Sequence, residues 1–263
     1  AYDPNTANKF VVCYRAYNDS AGRAIVGTVS SNSISYGSKI TYNSGQTYFN
    51  SISFDPNTAN KLVIAYRNVE VGTAIVGTVS SNSISFGTPS VFETTTGGGN
   101  DIDIEFDPNT ANKFLIVHKD EGNSNYGTAI VGTVSSTSIS FGSAVVFNSG
   151  NTNVAIGLSF DKNTATKFVI AYKDNGNSNY VTIIEGTMGS TSVTFGSEIV
   201  INSAASSYPD VAFDPSSYGK FVVVYTDEGN SNYGTSRLGQ IATTEQLSNL
   251  TATNFLGTAT AAY

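Results

Sequence analysis

The octapeptide FDPNTANK occupies residues 54–61 and recurs unchanged at 106–113. A near copy, AYDPNTANKF, opens the chain, and FDKNTATKF and FDPSSYGKF follow further on. The aspartate of the phrase falls at Asp3, Asp55, Asp107, Asp161 and Asp214, at spacings of 52, 52, 54 and 53 residues. The same series of segments runs behind each copy. KFVVCYR, KLVIAYR, KFLIVHK, KFVIAYK or KFVVVYT comes first, then TAIVGTVS or a relative (VTIIEGTMG, TSRLGQIA). SISFGSAVVFNS and its kin follow, and NSISFD, DIDIEFD, AIGLSFD or PDVAFD leads into the next phrase. Self-similarity at a fixed period describes one supersecondary unit that buries its apolar faces against copies of itself.

Each segment is short, rich in Val, Ile, Phe, Tyr and Thr, and bounded by Gly, Asn, Asp and Ser, which reads as a strand between turns. Four strands in about 50 residues is the period of a β-propeller blade. A β-solenoid needs a shorter rung, and a sandwich gives no reason for near-identical units. The expected fold is all-β: a five-bladed β-propeller of four-stranded antiparallel blades. It forms one domain over 1–263, with blades at 1–45 plus 256–263, 46–97, 98–150, 151–203 and 204–255. The first blade lacks a leading strand, and GTATAAY at 257–263 aligns with the leading strands of the others. Tyr263 then stands where Phe54, Phe106, Phe160 and Phe213 do. The C-terminal strand is therefore expected to complete the N-terminal blade and close the ring, which removes an open sheet edge. A start in the middle of a repeat is what a piece of a longer chain would show.

Forty per cent apolar residues, including 15 Phe and 15 Tyr, suffice for a sizeable core, and only 13% of residues are charged. A net charge of −7 repels phosphate backbones, so nucleic acid and anionic membranes are poor partners. Cys13 is the single cysteine, which excludes an internal disulfide and a cysteine-based zinc site. No apolar run approaches the roughly 20 residues of a membrane span, so no membrane insertion is expected, and no basic-then-apolar signal peptide is visible. Low cysteine and charge with abundant Asn, Ser, Thr and Gly suits a protein outside the cell or on a virion surface.

Chain direction reverses at each turn of a four-stranded blade. The Asp-Pro-Asn phrase and the SSNS/SSTS hairpin then share one face of the disc. The second turns share the other face with the between-blade connections NSGQT, TTTGGGN, NSGNT and NSAASS. Those second turns are 16–23, 68–72, 120–127, 174–181 and 227–234. This face carries most of the length variation, and rigid scaffolds usually place function on such loops. Its repeated candidate is DxGNSNY: Asp120, Asn123, Asn125 and Tyr126; Asp174, Asn177, Asn179 and Tyr180; Asp227, Asn230, Asn232 and Tyr233. Carboxylate and amide groups pair with sugar hydroxyls, and a tyrosine ring stacks on a sugar's apolar face. The alternative is a tight turn held by its own side chains.

Tyr14, Tyr66, Tyr172 and Tyr225 end the second strands, with His118 in the same slot of the third blade. Arg15, Arg67, Lys119 and Lys173 follow in four of the five, and Thr226 in the last. These read either as ligand-facing groups or as packed tyrosines beside a solvated charge. His118, the only histidine, stands in a tyrosine slot and is not expected to be a catalytic base. In the leading strand NDIDIEF, Asp101, Asp103 and Glu105 alternate onto one face, and Asp210 aligns with Asp103. Converging channel carboxylates offer a cation such as Ca²⁺ a site at Asp101, Asp103 and Asp210, or a glycosidase its acid pair, or are solvated edge charges. No convincing catalytic set is identified, no other cofactor is implied, and no GxGxxG, P-loop, HExxH or GxSxG pattern stands in a suitable context.

The phrases FDPNTANK, VIAYR, TAIVGTVS and SISFGSAVVF together resemble repeat segments of large tail-associated proteins of marine tailed bacteriophages. LSNLTATNFLGTATAAY looks like a segment leading from such repeats into further fibre sequence. The resemblance implies attachment at a virion or cell surface, alongside other fibre or virion subunits. The architecture is similar to tachylectin-type lectins, which bind sugars between blades, although their sugar-binding motifs are not visible here. The DxGNSNY loop loosely resembles the Asp-box hairpins of sialidase-like propellers, without their Ser and Trp. The expectation is a non-catalytic recognition module that binds surface glycans through the loop-rich face, weak sites gaining avidity by repetition. A glycoside hydrolase with channel carboxylates and a purely structural spacer are the alternatives.

Overall fold

A computed structural model describes residues 1–95, 97–241 and 258–260 of the chain. Every strand pairing in it is antiparallel. The first unit holds β1 (Lys9–Arg15), β2 (Gly22–Ser30), β3 (Ser33–Tyr36) and β4 (Ile40–Asn43). The second shows the full pattern: leading strand β5 (Thr47–Phe54), second strand β6 (Lys61–Asn68) and third strand β7 (Val71–Ser80). Its outer strand is broken into β8 (Ser83–Phe86) and β9 (Ser90–Glu93), both paired with β7. The third unit has β10 (Asn100–Phe106), β11 (Lys113–Asp120), β12 (Tyr126–Ser135) and β13 (Ser138–Phe141).

From there the outer strand of one unit runs on into the leading strand of the next. In β14 (Val145–Phe160) the first half pairs with β12 and the second with β15 (Lys167–Asp174). After β16 (Tyr180–Met188), β17 (Val193–Phe213) does the same between β16 and β18 (Lys220–Asp227). The last elements are β19 (Tyr233–Gln240) and β20 (Thr258–Thr260).

Second strands of the middle units read as near-continuous apolar runs because a neighbouring unit packs on both of their faces. Leu62–Tyr66, Phe114–His118 and Phe168–Tyr172 are buried without a break. The apolar clusters accordingly lie between units. One joins Val11, Val26 and Tyr42 of the first unit to Phe54, Ile64 and Tyr66 of the second, and three others join the second to third, third to fourth and fourth to fifth.

The end strands differ. β18 alternates buried with exposed residues, leaving Val222 and Val224 41% and 45% exposed, and Val12 of β1 is 41% exposed. Among the described residues no apolar cluster joins the fifth unit to the first. The C-terminal strand also corrects an expectation. Thr258–Thr260 pairs with Thr235–Arg237 of β19, at the outer edge of the fifth unit, and not beside β1. The inner edge of β1 is met by the Tyr2–Phe10 bridge instead, and Tyr263 lies outside the described residues.

Two side-chain devices recur at the unit boundaries. Tyr42, Phe92 and Phe147 of the outer strands meet Tyr66, His118 and Tyr172 of the following unit edge-on, at centroid distances of 5.1, 5.2 and 5.2 Å. Gly22, Gly72 and Gly127 make room for these rings, since a Cβ at each would strike the ring of Tyr42, Phe92 or Phe147. The fourth unit swaps both partners together, with Val181 in place of the glycine and Ile201 in place of the aromatic, and both are buried.

The Asp-Pro-Asn turn supplies the second device. Asp3, Asp55, Asp107 and Asp161 each accept the backbone N–H two residues on, at 2.8–2.9 Å. This frees the asparagine side chain to reach the next unit's turn. Asn5 donates to the carbonyl of Asp55, Asn57 to those of Asp107 and Pro108, and Asn163 to those of Pro215 and Ser217. The aspartate reaches across too: the second oxygens of Asp55 and Asp161 accept from the N–H of Asn112 and Gly219.

The glycine–aromatic pairing predicts that Gly127→Val destabilises the fold by about 1–3 kcal/mol through overpacking. Adding Phe147→Ile, which reproduces the fourth unit, should recover most of that loss in denaturant titrations. Additive losses in the double variant would contradict the pairing.

Candidate functional site

The three DxGNSNY loops share one backbone. The segments 121–123, 175–177 and 228–230 each form a single 3₁₀ turn, closed by left-handed residues at Ser124, Ser178 and Ser231. Asn125, Asn179 and Asn232 follow at φ 64°, 62° and 60°. Asparagine tolerates that region better than most residues, which accounts for its repetition there. The carbonyls of Asn125 and Asn179 accept the N–H of Thr152 and Ser206 where the next unit's leading strand begins.

Asp120 and Asp174 are buried. Asp120 accepts from the N–H of Asn123 at 3.1 Å and from Thr95 at 3.3 Å, and Asp174 accepts from Asn148 at 3.3 Å. Asp227 is half-buried. Asn123, Asn177 and Asn230 are exposed, Tyr126 and Tyr180 half-buried, and Tyr233 is 52% exposed. The loops therefore differ: Asp120 caps its own turn, whereas the side chains of Asp174 and Asp227 do not. In all three the second asparagine supplies left-handed backbone while the first, with Tyr233 in the last loop, faces outward.

The leading strands begin on the same side, and each begins irregularly. Register shifts fall between Tyr48 and Ser51, Asn100 and Asp103, Thr152 and Ile156, and Ser207 and Asp210. At three of these bulges a side-chain-bearing residue takes a left-handed backbone: Phe49 at φ 49°, Asp101 at 48° and Tyr208 at 54°. That conformation costs a bulky residue about 1–3 kcal/mol, and such strain gathers where a side chain is aimed for use. Phe49 and Tyr208 are consequently 41% and 64% exposed. Neither stood out in the sequence; the only signal was an aromatic two residues before the Ser51 and Asp210 positions.

The cations that end the second strands sit against these bulges. Arg15 lies over the Tyr48 ring at 4.4 Å, and Arg67 over Tyr48 at 4.8 Å and Phe49 at 5.2 Å. Arg67 also donates to Asn100 at 2.6 Å, and Asn100 in turn donates to Glu121. Lys119 lies 3.4 Å from Glu121 and 3.9 Å from Asp101. Lys173 donates to Ser207 at 3.0 Å and pairs with Glu228 at 3.5 Å. Among the described residues, cations thus tie the first unit to the second through Tyr48, the second to the third through Asn100 and the fourth to the fifth through Ser207, while Lys119 pairs with acids of its own unit. His118 is not among them: it is 1% exposed against Phe92, and burial keeps it neutral by lowering its pKa.

The channel carboxylates occupy a different place. Asp103 accepts from Ser51, from its neighbour Ile104 and from the N–H of Leu158 in the next unit, all at 2.9 Å. Glu105 accepts from the N–H of Phe160 at 2.7 Å, and Asp210 from Val211 at 2.8 Å. Asp101 is turned to Lys119 by its bulge, so the three expected cation ligands do not converge. Among the described residues no group of three or more His, Cys, Asp or Glu side chains forms a metal-holding cluster. Burial raises the Asp103 carboxyl to about 6 against its hydrogen bonds, with Asp210 adding to the rise. Burial likewise raises Glu105 to about 8, with Asp103 and Asp210 contributing.

A carboxyl whose folded pKa is raised stabilises the fold fully below its unfolded pKa, and that contribution is lost as pH rises through the folded value. Glu105 should therefore cost stability progressively between about pH 4.5 and 8. Glu105→Gln should flatten the fall of melting temperature over that range and melt above the parent at about pH 9. Parallel pH profiles for the two proteins would contradict this.

The sequence matches no protein-family model and no curated protein. In structure the chain is similar to AofleA of Arthrobotrys oligospora, seen as a triple arginine-to-alanine mutant, at TM-score 0.56 and 10% identity, covering 92% of this chain and 67% of that one. It is similar to Saccharomyces cerevisiae Sqt1 at TM-score 0.59 and 12% identity, over 100% and 61%. It is also similar to the Aleuria aurantia lectin, solved with α-methyl-L-fucoside, at TM-score 0.50 and 11% identity, over 97% and 77%. The Streptococcus pneumoniae NanB sialidase is another such fold, of whose length the chain spans 34%. At these identities the likeness establishes the architecture, an antiparallel all-β fold of the β-propeller type.

Proposed function

We propose that the chain is a five-bladed β-propeller acting as a non-catalytic recognition module that binds surface glycans at its loop-rich face. The observation that carries this reading is the set of strained bulges that expose Phe49, beside Arg67, and Tyr208, whose chain neighbour Ser207 accepts from Lys173. An exposed ring next to cations, amides and carboxylates suits a ligand with one apolar face and a rim of hydroxyls. Tyr233 and the exposed Asn123, Asn177 and Asn230 extend that surface. The Aleuria lectin, solved with a fucoside, offers a precedent for sugar binding on a similar scaffold. In this reading a single site binds weakly and repetition around one face supplies avidity. The setting is an extracellular or virion surface, within a tail or other fibre.

A hydrolytic reading draws on the raised pKa values of Asp103 and Glu105. Both carboxyls are also engaged in holding the backbone of the next unit, a structural use that accounts for their burial. Screening on a glycan array should give retained, unhydrolysed ligands. The double variant Phe49→Ala, Tyr208→Ala, or the triple Tyr126→Ala, Tyr180→Ala, Tyr233→Ala, should lower binding about tenfold or more, the scale of one or two lost stacking contacts. Unchanged binding in both variants would defeat the loop-face site. Hydrolysis lost on Asp103→Asn would favour the enzyme, and an array with no hits would favour a spacer.

A further inference from the structure

A cavity of about 350 Å³ opens at the opposite end of the molecule, on the Asp-Pro-Asn side, and residues of all five repeats line it. Its rim repeats the residue after the phrase's aspartate: Pro4, Pro56, Pro108 and Pro215, with Lys162 as the exception. The wall also holds Ser53, Glu105, Ser159 and Ala212, again one position repeated. That position has a structural duty, because Ser53 accepts the N–H of Phe106 at 3.2 Å and Ser159 that of Phe213 at 3.3 Å. Glu105 performs the same duty for Phe160. A serine hydroxyl suffices for it, so the larger acid is more than the fold needs.

Lys162 is a similar departure. Proline suits the second position of this turn because its φ is already set. Giving it up forfeits the preorganisation of the turn that proline supplies. Lys162 is exposed, and among the described residues its ammonium forms no ion pair. The two departures come from adjacent units and meet in one cavity, a cation at the rim and a hydrogen-bonding acid in the wall. The prolines and phenylalanine edges between them make the rest of the wall apolar.

We propose that this cavity binds one sugar acid: a ring-shaped, hydroxylated carboxylate whose anionic group pairs with Lys162. Its hydroxyls would meet Glu105 and the two serines, while its C–H faces lie along the prolines. The volume sits at the low end for small-ligand sites, which suits a monosaccharide and not a longer chain. Burial keeps Glu105 protonated at neutral pH, so it offers the ligand a donor without repelling its charge. This site lies across the molecule from the loop-rich face and does not depend on glycan binding there.

The test is titration calorimetry or ligand-observed NMR with D-glucuronate, using D-glucose as the uncharged control. Glucuronate should bind the parent protein at least about tenfold more tightly than glucose. Lys162→Pro and Glu105→Ser each restore the residue that other repeats carry. Both should keep the parent's melting temperature or raise it while losing about tenfold in glucuronate affinity. Should Lys162→Pro fail to fold, Lys162→Gln removes the charge alone and should show the same loss. The proposal is overturned if the parent does not bind glucuronate, if glucose binds equally well, or if the variants bind as the parent does.

Discussion

The contact between one unit and the next is the constraint on which everything else rests. A four-stranded sheet of this size has two apolar faces and cannot shield either alone, so its stability depends on its neighbours. The chain solves this at three heights with side chains that repeat. Asparagine of the Asp-Pro-Asn turn holds the following turn by its carbonyls. Ser53, Glu105 and Ser159 hold the next leading strand by its amide. At the loop-rich end, cations reach the start of that strand through Tyr48, Asn100 and Ser207. Between these polar ties lie the interlocked aromatics, seated on glycines.

All three ties change in the fifth unit. Ser216 replaces the asparagine, Ala212 the serine or glutamate, and Thr226 the cation. The outward side of β18 is correspondingly exposed. The outward side of the fifth unit is thus chemically distinct from the four boundaries between consecutive units. Polar ties of this kind add only about 0.5–1.5 kcal/mol each, so burial between units dominates stability. The ties fix register, and thereby fix where each loop stands relative to the next. A recognition surface assembled from several units needs that regularity more than it needs any one loop.

Much of this was legible in the sequence because repetition reports on structure directly. Strand order, the two faces and the inter-unit burial of KLVIAYR-type segments follow from period and pattern. The turn role of Asp in FDPNTANK was readable too, from its own chemistry. Its partner across the boundary was not, because Asn57 and Pro108 are 51 residues apart and only the packing of units brings them together. The bulges escaped for a similar reason: a left-handed Phe49 or Tyr208 has no composition signal, since it is imposed by a register shift. Alternation in NDIDIEF suggested that Asp101 joins Asp103, and the bulge at Asp101 undid it. The C-terminal strand aligned with leading strands yet lies on an outer edge, since short Thr/Ala-rich segments fit either position.

The central claim is that inter-unit ties make the repeats one cooperative body presenting its loops at fixed spacing. Native-state hydrogen exchange across increasing denaturant tests it most directly. The account predicts that the amides of β6, β11 and β15 share a single opening free energy equal to that of global unfolding. The amides of β1 and β18, each open on one face, should exchange through smaller openings. A ladder of distinct free energies through β6, β11 and β15, each unit opening on its own, would contradict it.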